Sequence, residues 1–87
     1  MQTPENWRHD GTFLRRTFRF ASFADAIAFM VKVSLHCEQV DHHPDWTNVY
    51  TRVDVALTTH DAGGITDKDM ALAEVMNAAF AAFDPAR

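Results

Sequence analysis

The chain has one cysteine, Cys37, so no disulfide can form within it. It shows no secretory signal, and no apolar run approaches the roughly 18 residues that a membrane span needs. Together with the lone thiol, these absences point to the cytosol and away from the membrane. Cationic charge is also short: the formal net charge is −4, a balance that repels nucleic acid phosphates. A local exception, Arg15, Arg16 and Arg19 with Arg8 nearby, reads as a solvated strand face. Gly63-Gly64 has neither the P-loop lysine nor the GxGxxG spacing, so it is not a phosphate loop. No GxSxG marks a nucleophile. Internal repeats, linkers and low-complexity stretches are missing too.

What is present suits one small domain. The 87 residues fit a single unit over 1–87, with 1–6 a loose terminus that carries no periodicity. An apolar fraction of 47% argues against disorder. A domain of this size buries only about 60–65% of its unfolded surface, and such chains often add partners.

Asp10-Gly11 supplies the positive φ angles of a two-residue turn, so the chain opens on a hairpin. In its second strand Leu14, Phe18 and Phe20 share a face with Arg16, opposite Phe13, Arg15, Thr17 and Arg19. Ser22 and Asp25 then start a helix. Phe23, Ile27, Met30, Ser34 and Cys37 repeat at helical spacing, and Ala26, Phe29, Val33 and Val40 widen the apolar face. That breadth exceeds what one sheet needs and points to a subunit contact. Pro44 is expected to end the helix, leaving His42 and His43 at its exit.

From Trp46 to His60 apolar and polar residues alternate, as in one long strand or in a hairpin turning at Thr51-Arg52. The loop at 61–64 follows. Thr66 and Asp69 form a second capping box, opening a helix that carries Met70, Ala73, Val75, Met76, Ala79, Phe80 and Phe83 until Asp84-Pro85 stops it. Strands joined by tight turns with two helices imply an α+β two-layer sandwich, the helices on one face of an antiparallel sheet.

Five histidines in a short acidic chain are the notable excess. His9 and His36 read as surface or capping residues. His42, His43 and His60 lie at segment ends, with Glu38 and Asp41 close in sequence. Glu38 and Asp41 are one turn apart and His42 follows Glu38 by four, so both pairs can share a helical face. Carboxylates and a helix C-terminus favour the imidazolium form, which can donate a proton near neutral pH. His-His-Pro equally suits a helix cap. Zinc is the other sharp reading, but adjacent helical histidines point about 100° apart, and neither HExxH nor a cysteine pair is present. Trp46 suits either core filler or a flat wall for a ligand.

Glu38-x-x-Asp41-His42-His43-Pro44-Asp45-Trp46, Asn48-Val49-Tyr50, Leu57-Thr58-Thr59-His60, Gly64-Ile65-Thr66 and Asp69 together resemble the pterin-4a-carbinolamine dehydratases. The similarity runs from Trp7 to the last helix. It implies a four-stranded antiparallel sheet in the order β-β-α-β-β-α, with residues 46–50 and 53–59 forming a hairpin. It places the family's histidines on His42, His43 and His60, its carboxylate on Glu38, and its pterin contacts on 41–43 and 58–61. Substrate-binding expectations are Glu38, Asp41, Thr58, Thr59 and Asp61 from these positions, with Trp46 as a wall of the pocket.

The implied activity is dehydration of 4a-hydroxytetrahydrobiopterin to quinonoid dihydropterin by histidine acid–base catalysis. No metal or other cofactor is expected. The implied setting is cofactor recycling for a pterin-dependent aromatic amino acid hydroxylase, by a homodimer or tetramer. The extra N-terminal helix of the animal proteins is absent, so a compact microbial-type enzyme is expected rather than a transcriptional coactivator. The alternative is a non-catalytic pterin-binding or protein-interaction module, coactivator-like or linked to molybdopterin.

Overall fold

Strands β1 (Arg8–Asp10) and β2 (Phe13–Arg19), helix α1 (Phe23–Val40), strands β3 (Asp45–Val49) and β4 (Arg52–Leu57) and helix α2 (Asp67–Ala81) follow one another along the chain. A 3-10 turn at His60–Ala62 precedes α2. These elements come from a computed structural model that describes residues 2–83. The strands form one antiparallel sheet of four in the order β1-β2-β4-β3, and the helices cover one face of it. The α+β expectation holds.

Both hairpins turn one residue away from where the sequence signals them. Asp10 pairs with Phe13, so the first turn is Gly11-Thr12 rather than Asp10-Gly11. Gly11 alone takes the positive φ there, +54°, which costs a residue without Cβ little. In the second hairpin Val49 pairs with Arg52, so Tyr50-Thr51 is the turn. The Asn48 amide sets that position by donating to the carbonyls of Tyr50 (3.1 Å) and Arg52 (2.9 Å). The shift matters because side chains alternate with period two. Trp46 and Asn48 now face the core side, opposite Val55 and Val53, while Val49 is turned to the open face and exposed.

The core joins Leu14, Phe18, Val53, Val55 and Leu57 of the sheet to Phe29 and Val33 of α1 and Leu72 and Met76 of α2. Phe18, Phe20, Phe29 and Phe80 form its aromatic centre, with the Phe18 and Phe20 ring centroids each 4.8 to 5.3 Å from those of Phe29 and Phe80. On α1 the buried stripe is Ala26, Phe29, Val33 and Cys37. Phe23, Ile27 and Val40, expected on the apolar face, are exposed, as are Val31 and Leu35. Phe23, Ile27, Val31 and Leu35 recur every fourth residue and so make a separate apolar row.

Asn77 stitches the chain's start to α2. It accepts from the Trp7 indole (2.8 Å) and donates to the Glu5 carbonyl (3.0 Å), so residues 2–6 lack regular structure yet are anchored. Arg16 also donates to Asn77 and stacks over Phe18 and Phe80, so it is not part of a solvated face. Arg15 and Arg19 lie on the open face with Thr17, whose hydroxyl donates to Asp54 and holds that carboxyl below its ordinary range. The expected stop at Asp84-Pro85 lies outside the described residues. No helix of the described residues is long and apolar enough to cross a membrane.

Two outcomes follow from this core. Phe18→Ala should cost about 3–5 kcal/mol in urea unfolding, because the surrounding rings cannot close the cavity. Burial pushes the Cys37 thiol up from its ordinary value. Its reaction with a thiol reagent should therefore be slow in the native protein and fast in denaturant.

Candidate functional site

Helix α1 stops earlier than its proline suggests. Asp41 adopts the left-handed conformation at φ +53°, a region that Asp tolerates better than most residues. Its N–H and that of His42 (3.2 Å) both donate to the Cys37 carbonyl, closing the helix end. The αL residue, not Pro44, is the stop. His42 is therefore off the helix, so the Glu38–His42 face expected from helical spacing does not form.

His42 instead meets α2. Its Nε2 lies 2.6 Å from Asp69 Oδ1; the His42 side chain is 10% exposed and that of Asp69 is fully buried. Asp69 Oδ2 accepts from the Thr59 hydroxyl (2.7 Å) and from the Thr66 amide (2.9 Å). The last bond is half of the capping box that opens α2, as the Thr66/Asp69 spacing predicts. One carboxylate thus caps a helix and holds an imidazole.

His60 reaches the same place from the other side. Strand β4 ends at Leu57, and Thr59 bridges to Gly64, closing a short loop around the 3-10 turn. Gly63, at φ +69°, donates to the His60 carbonyl (3.1 Å). That conformation is one a Cβ would strain. His60 is exposed at the head of the turn.

Asp41, His42, His43, Pro44, Asp45, Thr58, Thr59, His60, Asp61 and Lys68 line an open cleft of about 310 Å³. The histidines expected to work together do meet there, with Asp41, Thr58, Thr59 and Asp61. Glu38 and Trp46 do not line it. Glu38 is exposed on α1, and Trp46 packs partly buried against the core. Thr58 spends its hydroxyl on the Thr12 carbonyl (2.9 Å). Asp45 stood in the His-His-Pro run without a site role and Lys68 in no motif, yet both line the cleft. Asp69 stood in the sequence as a capping residue, but the partner that makes it part of the site is 27 positions away. Among the described residues no group of three or more His, Cys, Asp and Glu side chains is placed to hold a metal ion.

The arrangement offers one anchored imidazole and two exposed ones beside carboxylates, which suits proton transfer to and from a small polar ligand. His42→Ala should destabilise the fold by about 1–3 kcal/mol, because it strips a donor from a buried carboxylate. His43→Ala and His60→Ala should stay within about 0.5 kcal/mol. Urea unfolding of the three variants measures the contrast.

A sequence model of the family described as Pterin 4 alpha carbinolamine dehydratase matches residues 1–79. A Mesorhizobium japonicum protein named "Putative pterin-4-alpha-carbinolamine dehydratase" is 57% identical over 68 residues, 78% of this chain and 69% of its own. A Novosphingobium aromaticivorans protein of the same name is 55% identical over 69 residues, 79% and 72% of the two chains. Among solved structures, a transcriptional coactivator/pterin dehydratase from Brucella melitensis superposes with a TM-score of 0.82 at 43% identity, covering 86% of this chain and 82% of that one. A pterin dehydratase-like protein described as a RuBisCO assembly factor in the alpha-carboxysome gives a TM-score of 0.74 over 86% and 89% of the two chains. At 24% identity it shares the fold alone. Matched over most of its length by the family's sequence pattern, the chain belongs to the pterin-4-alpha-carbinolamine dehydratase family.

Proposed function

We propose that the protein dehydrates 4a-hydroxytetrahydrobiopterin to the quinonoid dihydropterin, with His42 and His60 exchanging the protons and His43 orienting the 4a-hydroxyl. The observation that carries this reading is the convergence of His42, His43 and His60 on one cleft from two separate segments, with His42 fixed by Asp69.

The reaction needs two proton transfers. The N5 lone pair pushes out the 4a-oxygen, so the C4a–O bond breaks as the C4a=N5 double bond forms. A general acid protonates the departing oxygen, which leaves as water, and a base takes the N5 proton. The substrate loses water without a change of electron count, so imidazoles suffice for the chemistry. Imidazole suits both transfers because its proton affinity lies near working pH. Asp41, Asp45 and Asp61 at the cleft supply acceptors for the N–H groups of an aminopterin ring.

In this reading the enzyme acts in the cytoplasm as a homo-oligomer, recycling the cofactor of an aromatic amino acid hydroxylase. The apolar row Phe23, Ile27, Val31 and Leu35 supports self-association, since monomers rarely leave such a row bare. The same row is the observation that favours the second reading, a pterin-binding or interaction module with little dehydration. The solved relatives described as a coactivator and as an assembly factor are compatible with either.

Stopped-flow assay of chemically generated carbinolamine separates them. His42→Ala and His60→Ala should each slow turnover by about 10²–10⁴. Full turnover in both variants would sink the assignment, and loss of turnover on chelation would favour a metal-dependent reaction instead.

A further inference from the structure

Thr59 was expected to touch the pterin, but its hydroxyl is engaged inside the protein. It donates to Asp69 Oδ2 at 2.7 Å. A hydroxyl has one hydrogen, so the 2.7 Å contact between Thr59 Oγ1 and Thr66 Oγ1 must be donated by Thr66. Thr66 is free to do so, because its oxygen accepts from the Lys68 amide (3.3 Å). The bonds therefore run in one direction, from Thr66 through Thr59 to Asp69.

The donors gathered on Asp69 bear on which nitrogen of His42 is available. The Thr66 amide can only donate, and it points at Asp69 Oδ2 beside the Thr59 hydroxyl. A proton on Oδ2 would face that amide hydrogen. Two donors on Oδ2 favour the ionised carboxylate, so Oδ1 accepts as well, and the group opposite it is His42 Nε2 at 2.6 Å. Nε2 then carries the hydrogen, and Nδ1 is the ring atom left for the cleft.

We propose that Thr59 is a positioning residue rather than a substrate contact: its hydroxyl, held by Thr66, donates to Asp69 Oδ2 and so favours the carboxylate that accepts His42 Nε2–H, leaving Nδ1 to serve the cleft. The role in turnover rests on the dehydratase reading above; the tautomer does not. Thr59 backbone bonds to Gly64 hold the hydroxyl in place, its N–H donating at 2.9 Å. A Thr59→Ser change keeps the donor, whereas Thr59→Val removes it at nearly constant volume.

The test uses protein labelled with 15N-histidine and long-range proton–nitrogen correlation at a pH where His42 is neutral. Wild type and Thr59→Ser should show His42 protonated on Nε2 alone. Thr59→Val should show a mixture of tautomers, with kcat lowered about tenfold and KM little changed. A pure Nε2–H signal in Thr59→Val, or a raised KM at unchanged kcat, would overturn the proposal. Should Thr59→Val fail to fold, Thr59→Ala is read in its place, with the same mixture of tautomers expected, and a pure Nε2–H signal would again overturn the relay. These spectra read the relay even if wild type proves inactive on carbinolamine, which would count against the dehydratase reading alone.

Discussion

A buried carboxylate must be fully satisfied by donors, and Asp69 is the point on which this site depends. Its three partners come from three places: His42 just past α1, Thr59 just past β4, and Thr66 at the cap of α2. The exit of one helix, the end of a central strand and the start of the other helix are therefore tied at a single side chain. Removing it would leave donors unmet in all three, which is why cleft geometry and fold stability cannot be separated here.

The same constraint divides the histidines. His42 is nearly buried and has one nitrogen committed, so it brings a fixed orientation to the cleft. His43 and His60 are exposed and reach it from a loop and a short turn. One held imidazole facing two exposed ones fits a reaction in which one proton is given and another taken.

Much of this was legible in the chain. The strand faces of β2, the capping box at Thr66 and Asp69, and the gathering of His42, His43 and His60 at segment ends were all local patterns. What was not legible depended on single-residue shifts or on distant partners. The helix end moved because Asp41 accepts an αL conformation, which no spacing rule marks. The second turn moved because Asn48 bonds two carbonyls across it, and that flipped Val49 to the open face. On α1 two apolar rows share one helix, and only packing against β2, β4 and α2 selects Ala26, Phe29, Val33 and Cys37 as the buried one. Glu38 carried a family expectation and Trp46 that of a pocket wall, but the folded chain leaves both outside the cleft.

The central claim is that this cleft catalyses loss of water from a pterin carbinolamine, and the wild-type rate tests it most directly. The disappearance of chemically generated 4a-hydroxytetrahydrobiopterin, followed with and without the protein, should be accelerated at least about 10²-fold per site, the smallest contribution expected of positioned acid–base groups. A rate indistinguishable from buffer at saturating protein would contradict it.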